Sequence, residues 1–492
     1  MKILFVGFEC ENYAISLFSS LLKQQGHQVY LIFDSRLFNT DEVKNRRLAK
    51  FFDIRKYNLS KIKEINPDLI GFSVYTQDYR YAVEFAKMIK SEMDTPIIFG
   101  GIHCILCPEE VIKEDCIDIV CVGEGERAIE EIAKNPANTA IESLWFRKSG
   151  SLLKNLLRPL IQDLDILPFI DKDIYYDQYP IFKKGYTIST GRNCPYTCAF
   201  CASDSLNRIY RENNLGNPIR QRSADNVIKE LITAKRKYNP ENVYFTDDVF
   251  TINTQWLREF AYIYKNVIGL PFYCTANPGT IKDEELKLLK YAGCQMIGFG
   301  MQSCNEEYRN EYLKRRGTNV RIKRVAEICH QIGLHFSFDH IFNLPMEKIE
   351  NQMEAIRFYN ETRPDIINTF TMTYLPKIEL NKYLDEKTRK EIENGKSPTG
   401  MFIRDNNAYA SLFVVLPLLS PNFINFLYRK NLIKFIKLPY FIRLFLKDIK
   451  RLIIGRYSDI FFPIQLFLIN IWKGIKIKLK KEVKRNNIVQ VI

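Results

Sequence analysis

The stretch Gly191-Arg-Asn-Cys-Pro-Tyr-Thr-Cys-Ala-Phe-Cys201 governs how the rest of this chain is interpreted. It places Cys194, Cys198 and Cys201 in a Cys-x3-Cys-x2-Cys pattern on one short segment. Three thiolates ligate three of the four irons of an iron–sulfur cube, which leaves one iron with an open position for chemistry. The spacing therefore predicts a [4Fe–4S] cluster held by these three cysteines.

Two other interpretations of the three cysteines stay open at this point. A structural zinc site needs four ligands, usually in paired Cys-x2-4-Cys units, and no Cys or His follows Cys201 until Cys274. Free cysteines are also among the most buried residues, so the three thiols could be inert parts of a core. The flanking sequence has to decide among these possibilities.

Length and composition predict a globular protein of more than one domain. The chain has 492 residues, of which 46% are hydrophobic, and this length suits two or three domains. Glu9 and Glu11 interrupt the first apolar run before it reaches the length of a signal peptide. We therefore expect a cytoplasmic protein whose twelve cysteines serve metals or cores instead of disulfides.

Residues 1–135 alternate short apolar runs with helical patterns. The apolar runs cover residues 2–8, 28–33, 69–74, 96–99 and 117–122. This alternation predicts a doubly wound, Rossmann-like α/β domain, which binds ligands at the carboxyl ends of its parallel strands. Paired glycines at strand ends let the backbone approach a bulky ligand. The candidate residues at these ends are Ser73, Thr76, Gly100, Gly101, His103, Gly123 and Glu126.

Residues 181–390 repeat the alternation after a segment, 136–180, that we interpret as a linker. Strands are predicted at 186–189, 242–246, 271–276, 295–301, 335–342 and 366–373, with helices between them. Six βα units predict a partial (β/α)6 barrel, in which functional groups lie on the loops after the strands. The three cysteines follow the first of these strands, as this architecture requires.

The motifs of the barrel, taken in order, resemble those of radical SAM enzymes. The cysteine segment with Phe200 resembles the family signature, and three later strand ends match as well: Thr246-Asp-Asp-Val-Phe250, Gly298-Phe-Gly-Met-Gln-Ser303 and Asp339-His-Ile-Phe-Asn-Leu-Pro345. The resemblance implies that the open iron chelates S-adenosylmethionine (SAM), which the cluster cleaves to a 5'-deoxyadenosyl radical. It assigns SAM contacts to Asp247, Asp248, Gln302, Ser303 and Asp339, and it offers Arg315 or Arg316 for the SAM carboxylate.

One position departs from the family pattern. Asn343 stands where the family usually has glycine. Because asparagine tolerates left-handed backbone angles better than most residues, we expect the turn to be kept.

The N-terminal motifs resemble the cobalamin-binding domain of B12-dependent radical SAM enzymes. They are Asn66-Pro-Asp-Leu-Ile-Gly-Phe-Ser73, Gly100-Gly-Ile-His103 and Gly123-Glu-Gly-Glu126. The resemblance implies that the seven strand-end residues named above contact cobalamin. The Asp-x-His-x-x-Gly loop of cobalamin mutases is missing, so the resemblance implies cobalt without a protein histidine ligand. A domain that serves only as a scaffold is the alternative.

The C-terminal region, 391–492, is basic and rich in aromatic residues. Residues 401–492 contain 17 Lys and Arg against 4 Asp and Glu, whereas the first 400 contain 54 against 53. A nearly neutral body with a basic end argues against a nucleic-acid groove through the catalytic part. The apolar stretches 410–419 and 460–472 are shorter than the roughly 18–20 residues of a membrane span. We therefore consider two alternatives, helices lying peripherally on the inner face of the membrane and a helical cap on the barrel.

The functional prediction follows from the resemblance. It implies a cobalamin-dependent radical SAM methyltransferase that takes electrons from a donor such as a flavodoxin or ferredoxin. The resemblance does not specify the small-molecule substrate, and the basic, apolar C-terminal region is the reason to consider a lipid-like one. Radical carbon–carbon bond, cyclisation or rearrangement chemistry is the second enzymatic alternative. An iron–sulfur electron-transfer protein is the alternative outside enzymes.

Overall fold

The N-terminal domain is built on a seven-stranded sheet in this computed structural model. The structure describes residues 1–39, 45–148, 151–395 and 406–439, together with positions 442, 443, 445, 446 and 471. The strands are β1 (Lys2–Phe8), β2 (Gln28–Asp34), β3 (Leu69–Ser73), β4 (Ile97–Gly100), β5 (Ile119–Cys121), β6 (Leu144–Lys148) and β7 (Ser151–Lys154). Their order is β2-β1-β3-β4-β5-β6-β7, and the first five are parallel. This order confirms the predicted doubly wound sheet.

Helices cover both faces of this sheet. They are α1 (Tyr13–Gln24), α2 (Arg46–Phe51), α3 (Arg55–Ile65), α4 (Thr76–Lys90), α5 (Ile102–Leu106), α6 (Pro108–Ile112) and α7 (Glu126–Lys134). One core joins the sheet to α1 and α7, and a second core on the opposite face joins it to α3, α4 and α6. The order in which strands are added to the sheet reverses between β1 and β3, and doubly wound folds bind ligands at such a switch point.

The segment interpreted as a linker contains regular structure that the sequence did not indicate. Strands β6 and β7 form an antiparallel hairpin that extends the N-terminal sheet, and α8 (Asp173–Tyr176) packs against the core of α1 and α7. All four residues of β7 are exposed, so its sequence carries no alternation of buried and solvated positions.

The second domain contains a six-stranded, all-parallel sheet. Its strands are β8 (Gly185–Ile188), β11 (Asn242–Phe245), β12 (Phe272–Ala276), β13 (Cys294–Gln302), β14 (His335–Phe342) and β15 (Ile366–Thr371), in the order β15-β14-β13-β12-β11-β8. A small ladder of β9 (Gly191–Arg192) with β10 (Arg220–Gln221) flanks it. The six strands lie where the sequence predicted them, which confirms the partial barrel.

Helices follow the strands of this domain along the chain. They are α9 (Ala202–Glu212), α10 (Ala224–Tyr238), α11 (Thr254–Ile263), α12 (Asp283–Ala292), α13 (Glu306–Glu311), α14 (Asn319–Ile332), α15 (Ile349–Thr362) and α16 (Glu386–Glu393). Tyr186 and Ile188 on β8 point into the core that the sheet shares with α10, α11, α12, α14 and α15. Gly185 and Thr187 on β8, and Ser189 just after it, face the opposite side and line a cavity. The period-two alternation thus separates the core side of the strand from the cavity side.

The first part of the C-terminal region is a cap on the barrel. Helices α17 (Asn406–Val415) and α18 (Pro421–Arg429) contribute Leu412, Phe413, Ile424 and other apolar residues to the barrel core. No helix among the described residues is long and apolar enough to cross a bilayer. The cap alternative therefore holds for residues 406–436, while most of the remaining basic tail lies outside the described residues.

Candidate active site between the two domains

The three cysteines lie on a loop between β9 and α9 that is fixed at both sides. The Asn207 side chain donates a hydrogen bond to the Cys194 carbonyl over 2.7 Å, and the Ala199 amide donates to the Leu313 carbonyl over 3.0 Å. Asn193 adopts a left-handed φ of 63° that turns the chain into this loop. Neighbouring elements therefore hold the cysteine segment in place.

Burial makes the thiols of Cys194 and Cys201 poor acids. It raises the pKa of Cys194 to about 12 and also raises the pKa of Cys201, and the Asp248 carboxylate adds to both effects. Metal cations reverse this tendency, because a coordinated thiol is deprotonated. In the described ranges no three His, Cys, Asp or Glu side chains lie close enough to share one metal ion. A cube, in contrast, binds each thiolate through a different iron.

Arg315 reaches the cysteine loop from the segment after α13. Its Nη1 lies 3.5 Å from Sγ of Cys198, and its Nε donates to the Gly300 carbonyl. A Cβ on Gly300 would lie 2.5 Å from Nε2 of Gln302 and 2.7 Å from Nη2 of Arg315, so a larger residue there would displace these two side chains. Arg316 is exposed. Of the two arginines that the sequence offered, the structure brings Arg315 to the cluster loop.

The two aspartates after β11 have different surroundings. Asp247 is buried and accepts hydrogen bonds from the Thr190 amide at 3.0 Å and from the Thr190 hydroxyl at 2.8 Å. Burial raises its pKa to about 6, although these hydrogen bonds act in the opposite direction. Asp248 is exposed, and its carboxylate accepts a hydrogen bond from the Ser203 hydroxyl at 2.7 Å. Asp247 therefore supports the loop after β8, and Asp248 offers a carboxylate beside the cysteines.

Two buried side-chain oxygens at the end of β13 lack hydrogen-bond partners among the residues that the structure describes. A bulge follows Gly300, and Gln302 has a left-handed φ of 65°. Oε1 of Gln302 and Oγ of Ser303 are buried and have no hydrogen-bond partner within the described part of the chain. Buried polar atoms without partners are uncommon in proteins, and these two oxygens are available to bond to a ligand or an ordered water.

The end of β14 supplies a further carboxylate and the expected turn. Oδ1 of Asp339 accepts a hydrogen bond from the Asn368 side chain over 2.8 Å. Asn343 has a φ of 66°, and its carbonyl accepts from the Tyr374 hydroxyl at 3.0 Å. Asparagine thus adopts the left-handed turn that the sequence analysis expected at the glycine position.

A cavity of about 360 Å³ lies at the carboxyl ends of β1, β3, β4 and β5. Five of the residues predicted to contact cobalamin line it: Ser73, Gly100, Gly101, Gly123 and Glu126. Gly101 has a φ of 99°, and a Cβ there would lie 2.6 Å from the Val74 carbonyl oxygen. This close approach of two loops is possible only with glycine.

The other two predicted cobalamin residues lie behind the cavity wall. His103 is fully buried, its Nδ1 lies 3.2 Å from the Thr76 hydroxyl, and its ring stacks on Tyr79 with centroids 4.2 Å apart. Neither His103 nor Thr76 lines the cavity. Burial, aided by the charge of Arg80, lowers the pKa of His103 to about 4, so its imidazole is neutral.

An ion-pair cluster joins the two domains beside the cysteine loop. The Arg192 guanidinium donates to Glu124 over 2.6 Å and to Glu126 over 2.5 Å, and Arg220 donates to Glu124 over 3.0 Å. These arginines lower the pKa of Glu124 even though burial opposes them. The sequence analysis did not predict that Arg192 and Glu124 pair across the two domains. The position of Arg192 two residues before Cys194 was the feature that could have drawn attention to it.

A second cavity, of about 800 Å³, adjoins the first and lies against strands of the barrel. Its walls include Thr187, Ser189 and Tyr244 on β8 and β11, and Glu11 in the loop after β1. Five residues line both cavities, namely Tyr13, Ala14, Tyr75, Glu126 and Arg192. The two cavities therefore adjoin each other along these five side chains.

Two family models match the chain over these two domains. The B12 binding domain matches residues 3–133, and the Radical SAM superfamily matches residues 188–359. Together they cover more than half of the 492 residues. The chain belongs to the radical SAM enzymes with a B12-binding domain. This assignment confirms the predicted enzyme class and agrees with the predicted cofactors, a [4Fe–4S] cluster, SAM and cobalamin.

Individual relatives of this radical SAM chain are distant. An uncharacterised methyltransferase of Pyrococcus horikoshii is 27% identical over 342 residues, which cover 68% of this chain and 72% of the relative. The anaerobic magnesium-protoporphyrin IX monomethyl ester cyclase of Cereibacter sphaeroides is 24% identical over 378 residues, which cover 72% of this chain and 57% of the cyclase.

Two solved structures have the same fold as this radical SAM chain. The cobalamin-dependent SAM radical enzyme OxsB, with aqua-cobalamin and SAM bound, aligns over 100% of this chain and 81% of its own with a TM-score of 0.62 and 17% identity. The radical SAM methyltransferase TsrM of Kitasatospora setae, with cobalamin and a [4Fe–4S] cluster, aligns over 77% of this chain and 73% of its own with a TM-score of 0.60 and 16% identity.

Proposed function

We propose that this enzyme methylates an unactivated carbon of a small molecule that binds in the 800 Å³ cavity. The observation that carries the proposal is the set of five residues, Tyr13, Ala14, Tyr75, Glu126 and Arg192, that line both cavities. A substrate in this cavity would lie beside the cobalamin cavity of one domain and against strands β8 and β11 of the other. When bound, the cluster, SAM and cobalamin supply the radical and the methyl group.

The residues around the cysteine loop fit a bound cluster and SAM. Cys194, Cys198 and Cys201 would hold the cluster, and Arg315 donates a hydrogen bond to the sulfur of Cys198. The exposed carboxylate of Asp248 suits the ammonium group of SAM, because ionised partners form the strongest hydrogen bonds. Donors of SAM would satisfy the buried oxygens of Gln302 and Ser303, and Asp339 would complete the contacts.

The N-terminal domain fits cobalamin without a histidine ligand. Gly100, Gly101 and Gly123 keep side chains out of the space over the strand ends, and Ser73 and Glu126 add polar groups to its wall. His103 packs behind this wall against Thr76 and Tyr79. The cobalt would therefore lack protein histidine coordination.

We also propose that a flavodoxin or ferredoxin reduces the cluster and that the basic C-terminal region brings the enzyme to the inner face of the membrane. The excess of 17 basic over 4 acidic residues in 401–492 supports attraction to anionic lipid. A substrate met at such a surface would be lipid-like.

Anaerobically reconstituted enzyme tests the core of the proposal. With SAM bearing a trideuterated methyl group and a metabolite extract, one metabolite should gain that methyl group while 5'-deoxyadenosine forms. Cys198→Ala should abolish both results, and Cys329→Ala, which changes a buried cysteine far from the loop in sequence, should preserve them. Retention of a complete cluster and of SAM cleavage in Cys198→Ala would refute the assignment.

Radical carbon–carbon bond or ring chemistry is the second candidate, and its support is the similarity to the cyclase of Cereibacter sphaeroides. In that case 5'-deoxyadenosine should form and the product should contain no deuterated methyl group. The same experiment therefore separates the two candidates.

A further inference from the structure

The cap divides the apolar residues of the C-terminal region into two sets. Phe413, Ile424 and Leu427 are buried against the barrel. Phe423 and Phe426 on α18, in contrast, are 46% and 47% exposed, and Phe435 is 72% exposed. The sequence did not distinguish the two sets, because both consist of apolar residues within one basic region.

The exposed aromatic residues of α18 lie side by side. The rings of Phe423 and Phe426 stack with centroids 6.2 Å apart and an interplanar angle of 19°. Between them along the chain, Ile424 faces the barrel, so the helix is anchored by one face and presents the phenylalanines on the other. A rigid aromatic ridge therefore projects from the cap into solvent.

Basic residues flank this ridge. Arg429 and Lys430 follow Phe426 at the end of α18, and both are exposed. Residues 406–439 contain Arg429, Lys430, Lys434 and Lys437 and no Asp or Glu. This segment therefore carries a net positive charge, and it contains no acidic residue that could neutralise it.

We propose that Phe423, Phe426, Arg429 and Lys430 form the surface, here called the α18 surface, by which the enzyme binds anionic lipid bilayers. Aromatic residues beside cations suit the membrane interface, where rings enter the acyl boundary and cations contact headgroups. The charge argues for this partner over a second copy of the chain, since two copies of the same basic surface repel each other. The inference rests on the proposed membrane contact and assigns it to a defined helix.

Vesicle flotation with the full chain tests the proposal. Vesicles of equal parts phosphatidylglycerol and phosphatidylcholine should bind the protein at low salt, and pure phosphatidylcholine vesicles should bind it much less. The double variant Phe423→Ser/Phe426→Ser should lose at least about tenfold in the partition coefficient at low and high salt, because it removes apolar area. Arg429→Gln and Lys430→Gln should each lose about fivefold at low salt and little at high salt.

Two variants on other surfaces serve as controls. Tyr262→Ser removes a 66% exposed aromatic ring from α11, and Arg324→Gln removes an exposed cation from α14. Both should bind vesicles as the wild type does, and all variants should keep the thermal unfolding midpoint of the wild type.

The possible failures are distinguishable. If the full chain binds the anionic vesicles and the phenylalanine variant binds equally well, the α18 surface is wrong while the membrane contact stands. If the full chain does not bind the anionic vesicles at low salt, the α18 surface and the membrane contact are both wrong. The proposal of methyl transfer does not depend on this result. If the phenylalanine variant changes only the oligomeric state, the surface joins copies of the chain, which also overturns the proposal.

Discussion

Nζ of Lys172 lies 2.9 Å from Oε2 of Glu11, and both side chains also bond to the hydroxyl of Thr187. The Lys172 and Glu11 side chains are only 3% and 8% exposed. The three residues come from the segment between the domains, the loop after β1 and strand β8, so this ion pair fastens the N-terminal domain to the barrel. It also forms part of the wall of the 800 Å³ cavity.

Breaking this pair should destabilise the protein strongly. Lys172→Met leaves the Glu11 carboxylate buried without its partner, which costs about 3–5 kcal/mol of unfolding free energy. Urea unfolding of the metal-free chain measures the loss. The exposed pair of Lys184 with Glu241 provides a control, because Lys184→Met should cost less than about 1 kcal/mol. If Lys172→Met/Glu11→Leu is no more stable than Lys172→Met, the unpaired charge is not the cause.

The two aspartates after β11 should affect SAM binding unequally. Asp248→Asn removes the exposed carboxylate beside the cysteines, so the dissociation constant for SAM should rise about tenfold or more. Asp247→Asn changes a side chain that bonds to Thr190, and SAM affinity should change less. Equilibrium dialysis with the reconstituted enzyme measures both constants. A larger effect from Asp247→Asn would reverse the assigned roles.

Asp247 should also make stability depend on pH. Its pKa is raised from 3.8 to about 6, so the folded chain holds a proton that the unfolded chain has released between these values. The unfolding free energy of the wild type should therefore fall, relative to Asp247→Asn, as the pH rises from 3.8 to about 6. The full difference is on the order of 3 kcal/mol. Parallel unfolding curves of the two metal-free proteins across this range would contradict the prediction.

Arg315 should raise the reduction potential of a cluster bound by the three cysteines. Its guanidinium donates to the sulfur of Cys198, and both hydrogen bonds to sulfur and positive charge favour the reduced state. Arg315→Met should therefore lower the reduction potential by tens of millivolts, measured by an EPR-monitored redox titration. Arg316→Met removes an exposed cation and should leave the potential nearly unchanged. Equal shifts in both variants would point to a nonspecific charge effect.

The cap should be essential for a stable barrel. Phe413 is fully buried, and its ring lies 4.9 Å from that of His340 and 5.2 Å from that of Tyr359 between centroids. Phe413→Ala should cost about 3–5 kcal/mol, whereas Phe426→Ala on the exposed face should cost little. Truncation after Gly400 should destabilise the barrel for the same reason. A folded truncated chain with wild-type stability would show that the cap is dispensable.

The sequence predicted most of the fold because local patterns encode it. Strand β14 was predicted at 335–342, where the structure has it, since buried parallel strands are short apolar runs between helices. The hairpin of β6 and β7 escaped prediction because β7 is exposed along its whole length. The assignment of Cys194, Cys198 and Cys201 to a cluster also rests on spacing within one loop, and it stays a prediction.

The sequence by itself therefore determined the two domains, the cysteine loop and the strand ends that carry the candidate ligands. Only the tertiary structure separated Asp247 from Asp248 and placed His103 behind the cavity wall. It alone paired Arg192 with Glu124 and Glu126, and Lys172 with Glu11. The physical reason is that ion pairs and burial depend on which side chains of distant segments come into contact, and short-range periodicity carries no information about these contacts.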